Sequence, residues 1–185
     1  MLMHNKTPRI YTFIESFDKE KISKLPSTIG IIYRNYNTDL KNDQILKIKD
    51  FCKANNKKIY LANNFKLAFQ NKLDGVYIPS FNRNLNFKNL NKRKNFIILG
   101  SAHNLQEIKI KEKQCAKIIF LSPVFKTKNY KKILGISKFN FLSRQTKKRI
   151  VALGGINKKN INYLKISKIF GFSAIKYFNN KNEQS

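Results

Sequence analysis

Short, unbroken apolar runs recur along this chain about every 20 to 25 residues, with helical spacing between them, about eight times over. They begin with Ile10 to Ile14, Ile29 to Arg34, Lys58 to Ala62 and Gly75 to Ile78, and continue with Phe96 to Ala102, Lys117 to Leu121, the stretch opening at Arg149, and Phe170 to Lys176. Ile150 to Leu153 is apolar at every position, which suits a parallel strand covered on both faces better than a half-exposed antiparallel one. Repeated βα units imply a parallel sheet, and eight of them favour a closed (β/α)8 TIM barrel, with a doubly wound open sheet as the alternative. The barrel is short, and its last helix is expected to be reduced or missing. One domain over residues 10–178 follows, between an N-terminal tail (1–9) and a C-terminal tail (179–185) disordered by composition.

The segments between the runs carry helix signals. Phe17 to Leu25 reads as a short helix closed by Pro26. Asp39 is placed to cap a helix reaching Ala54, with Ile45, Ile48 and Cys52 on one face. A short helix is expected from Phe65 to Asn71, and Asn104 with Glu107 forms a capping-box pattern for a helix ending near Lys113. Ile136, Phe139 and Leu142 mark another helix, and Ile161 with Leu164 a polar one. Residues 81 to 94 read as loop with one helical turn at most.

A net charge of +28 and a pI near 10.2 would ordinarily point to nucleic acid or an anionic membrane. Here Lys and Asn recur through nearly every helix and loop. Lys pairs at 57/58, 131/132, 147/148 and 158/159 fall in separate turns, so the charge reads as compositional bias and argues against nucleic acid as the main partner. No run reaches the roughly 18 apolar residues of a membrane span, and the first residues contain no apolar leader, which leads to the expectation of a cytoplasmic protein. Cys52 and Cys115 lack metal or redox spacing and read as free thiols.

In a parallel barrel, ligand chemistry gathers at the C-terminal ends of the strands. The residues falling there include Glu15, Arg34, Asn63, Asn64, Tyr77, Ser80, Asn82, Ser101, His103, Ser122, Thr127, Gly154, Gly155 and Lys176, a basic and hydroxylated set with one carboxylate. Arg34, Lys126, Lys176 and the glycine amides suit a phosphate or carboxylate ligand, whereas a carboxylate pair for Mg2+ is missing. Two accounts stay open for most of these residues. Gly154-Gly155 fits a phosphate cup or a bare left-handed turn, and Arg34 fits a ligand contact or a salt bridge to Glu15. His103 fits a proton shuttle or a helix-capping residue.

Five segments in order resemble the thiamine phosphate synthase family, whose sister is the thiazole tautomerase (TenI). They are Ile31 to Arg34, Leu73 to Pro79, Ser101 to Glu107, Ser122 to Thr127 and Ala152 to Ile156. The resemblance implies a (β/α)8 barrel that joins a hydroxymethylpyrimidine diphosphate to a thiazole phosphate and releases pyrophosphate with Mg2+, by a dissociative path. It implies Arg34 on the diphosphate, Ser101 on the pyrimidine or the leaving group and Thr127 on pyrophosphate, and His103 joins them as a catalytic candidate from the reading of its strand end. Gly154, Gly155 and the backbone near Ala174 to Lys176 would then hold the thiazole phosphate, while Asn63, Tyr77, Asn82, Lys126, Lys128 and Lys176 are the further substrate- and phosphate-binding candidates read from position and charge.

The departures are specific. Asn63 and Asn82 stand on the metal-binding Asp positions of the family, Tyr36 stands on a basic position, and Pro123 stands where the tautomerase has its His. A barrel that holds thiazole phosphate or thiamine phosphate without catalysis is the alternative. The expected partners are phosphorylated small molecules, with a homo-oligomer possible.

Overall fold

The computed structural model describes residues 7–36, 42–86, 93, 95–127 and 132–174. Within them, eight parallel strands follow one another in chain order and close into a barrel. The strands are β1 (Ile10–Ile14), β2 (Ile29–Tyr33), β3 (Lys58–Ala62), β4 (Gly75–Ile78), β5 (Ile97–Ala102), β6 (Ile118–Leu121), β7 (Arg149–Leu153) and β8 (Gly171–Ser173). Closure occurs at β1, where Ile10 lies opposite Ile29 of β2 on one side and Phe172 of β8 on the other. The open-sheet alternative is thereby ruled out.

Among the described residues, five α-helices cover the outside: α1 (Lys19–Ser23), α2 (Asn42–Ala54), α3 (Phe65–Gln70), α4 (Leu105–Lys113) and α5 (Gly135–Arg144). Three of their starts follow local side-chain chemistry, since Asp18, Asn64 and Asn104 each accept the N–H three residues on, whereas α5 begins after Leu134 without a side-chain cap. Asp39, expected to cap α2, lies outside the described residues. The seventh crossover is a 3-10 helix, Ile161–Ile166, where an α-helix was expected. Asn157 Oδ1 accepts from the Lys159 and Asn160 N–H groups just before it, a side-chain turn that competes with an α-helical start.

Two boundaries also differ. Residues 7 to 9 are not tail: Pro8 is buried, and the Arg9 carbonyl accepts from Phe172 N–H at 3.0 Å. A strand signal that begins at the first apolar residue does not reveal such floor contacts. The eighth strand ends at Ser173 and is shorter than the expected run; the remainder of that run, the last-helix position and the C-terminal tail lie outside the described residues.

The core has two layers, as the alternation of strand side chains requires. Outward-facing residues such as Ile31, Leu61, Ile98 and Ile119 pack against the helices. Cys52 is fully buried in that layer, and burial pushes its thiol up to about 12, so it is an uncharged packing residue. Inside the barrel, Tyr11, Phe13, Tyr60, Tyr77 and Phe120 meet in tilted and edge-to-face contacts, with centroids 5.0 to 6.4 Å apart. Each such ring contributes about 2 to 3 kcal/mol through burial. The axis is thus filled, and the C-terminal strand ends surround a mouth above the plug.

Candidate active site at the C-terminal mouth

Arg34 follows β2, and its backbone N–H bonds to the Ile14 carbonyl at 2.8 Å, so β1 fixes where its side chain begins. The guanidinium donates to Glu15 at 2.5 Å and lies 5.2 Å over the Phe13 ring. The expected ion pair forms, in an arrangement that keeps the cation at the mouth. The bond is partly exposed, so it adds little stability.

Two bridges connect neighbouring strand ends. Asn82 donates its amide N–H to Asn63 Oδ1 at 2.7 Å, linking the loops after β3 and β4. His103 links three strands: Nδ1 donates to the Ser122 carbonyl at 2.7 Å, and that carbonyl can only accept. Nε2 lies 3.0 Å from the Ser80 hydroxyl, a group able to donate to it or accept from it. The helix cap belongs to Asn104 and not to His103, and Glu107 closes the box one residue early by accepting the His103 N–H at 2.7 Å. Ser101 sits just below on β5 and is buried.

The β6 and β7 loops lie against each other. Gly154 and Gly155 have φ of +96° and +70°, and a Cβ on them would fall 2.7 Å from Pro123 Cα and 2.5 Å from the Lys126 carbonyl oxygen. Val124 and Phe125 donate their N–H groups to Leu153 and Gly154 carbonyls at 2.9 and 3.0 Å. The glycine pair is therefore required by loop packing as well as compatible with an anion, and among the described residues neither glycine N–H has an acceptor. Gly155→Ala is expected to cost about 2 kcal/mol or more from left-handed backbone strain and the clash, measured as a lower denaturant midpoint. It also displaces the segment that carries Lys126 and Thr127.

The structure thus gathers Arg34, Asn63, Asn82, Ser101, His103, Lys126, Thr127, Gly154 and Gly155 at one end of the barrel. Tyr77 lies beneath them as a buried member of the aromatic plug, edge-on to Phe13 and Phe120. Lys128 and Lys176 lie outside the described residues.

Two features escaped the sequence reading. Tyr36 and Phe81 form an exposed edge-to-face pair at 5.9 Å on the rim, which only long-range contact brings together. Lys111 on α4 is fully buried and donates to the carbonyls of Pro79 and Asn82 at 2.7 Å each and to Gln114 Oε1 at 2.9 Å. Gln114 donates in turn to the Asn82 and Asn84 carbonyls, so α4 holds the β4 loop. Its signal was a lysine three residues after Ile108, on the buried stripe, facing Gly100, whose missing Cβ leaves room for the lysine stem.

The profile of the family described as "Thiamine monophosphate synthase" (TMP-TENI) matches residues 26–178. The chain belongs to this family.

Among its relatives is a provisionally named thiamine-phosphate synthase 2 of Aquifex aeolicus, 31% identical over 148 residues, which cover 76% of this chain and 78% of the relative. The thiamine-phosphate synthase of Coprothermobacter proteolyticus is 30% identical over 132 residues, covering 70% of this chain and 63% of that protein. That of Prochlorococcus marinus subsp. pastoris is 33% identical over 133 residues, but the match spans only 37% of its length. A solved thiamine phosphate pyrophosphorylase from Pyrococcus furiosus superposes with a TM-score of 0.74 over 91% of this chain and 85% of its own, at 19% identity. FabK from Thermotoga maritima gives 0.72 at 10% identity, over 92% of this chain and 58% of its own. At such identities these likenesses concern the barrel fold alone.

The Mg2+ implied by the family resemblance does not fit the donor set that the described residues of this mouth provide. Asn63 and Asn82 offer uncharged amides, and Asn63 Oδ1 already accepts from its neighbour. Glu15 is committed to Arg34, and no group of three His, Cys, Asp or Glu side chains converges among the described residues. No helix there is long and apolar enough to cross a membrane.

Proposed function

We propose that this protein is a thiamine phosphate synthase-type transferase, acting on a hydroxymethylpyrimidine diphosphate and a thiazole phosphate. The reading rests on one observation above all: in a member of this family, the basic and hydroxylated residues of separate strands meet at one carboxylate-poor mouth. Arg34 contacts the diphosphate, and its fork geometry suits paired phosphate oxygens. Thr127 and Lys126 face the departing pyrophosphate, and the Gly154 and Gly155 amides receive the thiazole phosphate. The exposed Tyr36 and Phe81 rings offer aromatic surface for a planar heterocycle.

In this scheme the C–O bond between the pyrimidine methylene and the diphosphate breaks, and the electron pair leaves with pyrophosphate. The thiazole nitrogen lone pair then forms the new C–N bond, and no proton moves in that step. Fixed positive charge around the leaving group lowers the barrier to ionisation. His103 is held between the Ser122 carbonyl and the Ser80 hydroxyl, so it serves as a positioning group for the β4 and β6 loops.

Incubation of the protein with both phosphorylated precursors, with and without a chelator, tests this reading by mass detection of thiamine phosphate. Product is expected in both conditions, with the chelator changing the rate by no more than about tenfold, since among the described residues the mouth lacks the carboxylates of a metal clamp. Absence of turnover above buffer in either condition overturns the synthase reading. The uncharged Asn63–Asn82 bridge favours a second reading, a barrel that only holds its phosphorylated ligand. That reading requires thiazole phosphate binding that survives the chelator without any product.

A further inference from the structure

The opposite end of the barrel contains a cavity of about 490 Å³, framed by residues that enter β3, β4, β5, β6 and β7. Five of its twelve lining residues are Lys or Arg: Lys58, Lys117, Lys147, Lys148 and Arg149. Chain-wide the proportion is 38 of 185, so this floor is about twice as cationic as the bias of the sequence explains. Its one carboxylate, Asp74, is spent. One oxygen accepts from Lys58 at 2.8 Å and the other from the Ile59 N–H at 3.0 Å. Among the described residues no other cation of the cavity has a carboxylate within salt-bridge distance.

One further observation concerns the floor's cations. Arg149 lies over the Phe170 ring, 4.8 Å from its centre, and Arg9 lies 5.6 Å from the same centre, so an aromatic face rather than a carboxylate holds each guanidinium.

We propose that this cavity is a second ligand site, for a small molecule bearing a diphosphate or an equivalent cluster of acidic groups, separate from the C-terminal mouth. A space of this volume suits a small phosphorylated molecule. Lys117, Lys147 and Arg149 approach from two adjacent strand entries and supply point charges and a planar fork to such a group. The proposal does not depend on the transferase reading, because none of these residues belongs to the mouth.

The test uses inorganic pyrophosphate as probe, with amide NMR of the full chain at about 0.15 M salt, where long-range attraction is screened. Saturable shifts are expected at Ile97, Lys117, Ile118 and Arg149, separate from any at Gly154 and Gly155. The pair Lys117→Glu with Lys147→Glu is expected to weaken this phase about tenfold or more, and Arg149→Gln by several-fold. A charge-matched pair on outer helix surfaces, Lys47→Glu with Lys138→Glu, is expected to change it by less than about twofold. Shifts confined to the glycine end overturn the proposal, as does equal weakening by the control pair, which would show only the field of a basic chain. Displacement of pyrophosphate by a mixed-sequence DNA duplex at equal phosphate concentration also overturns it, in favour of a nucleic-acid surface.

Discussion

Lys111→Met is expected to lower the unfolding free energy by about 3 kcal/mol, because it leaves the Pro79 and Asn82 carbonyls and Gln114 Oε1 buried with fewer donors. Urea unfolding gives the magnitude. A pH series gives a second signature. Burial pushes the Lys111 ammonium down from 10.5 to about 8, while the Glu107 charge opposes part of that shift. A folded pKa below the unfolded one means that the unfolded chain holds more protons between pH 8 and 10.5. Stability due to this lysine therefore rises with pH through that window, by about 1 kcal/mol between pH 7 and 9. The wild type minus Lys111→Met difference is expected to show that rise. A flat difference would mean that the buried amine is not titrating there.

Arg34→Ala is expected to reduce kcat/KM for the proposed transfer by about 100-fold or more, through loss of a charged fork on the leaving diphosphate. Its stability is expected to stay within about 1 kcal/mol of wild type, because the bond to Glu15 is partly exposed. Arg34→Lys retains the charge but not the paired donors and is expected to recover only part of the rate. Steady-state kinetics beside a thermal melt separates these outcomes. An unchanged kcat/KM would remove Arg34 from the diphosphate.

The barrel was legible because its strands are buried on both faces, so runs such as Ile150 to Leu153 lack the alternation that would have suggested an exposed sheet. Helix starts were legible where the cap is a local side-chain bond, as at Asn104. The 3-10 helix was not, because Ile161 and Leu164 are spaced for either form and the choice falls to the asparagine turn before them. At the mouth, position along a strand placed Arg34 and the glycine pair, since the C-terminal ends of parallel strands share one side. Sequence did not reveal what these residues touch. Arg34 forms the ion pair to Glu15 that was one of its two accounts, and Tyr77 lies in the plug beneath the mouth rather than on its surface. The Lys111 anchor depends on backbone carbonyls some 30 positions away, at Pro79 and Asn82, which no local pattern encodes.

The five interlocked rings along the axis have one more consequence. They place a packed aromatic layer between the two vestibules. An occupant at the floor would influence events at the rim through its electric field across the plug or through tilting of the strands, and replacing Phe120 at the centre of the stack is the place to loosen the second route.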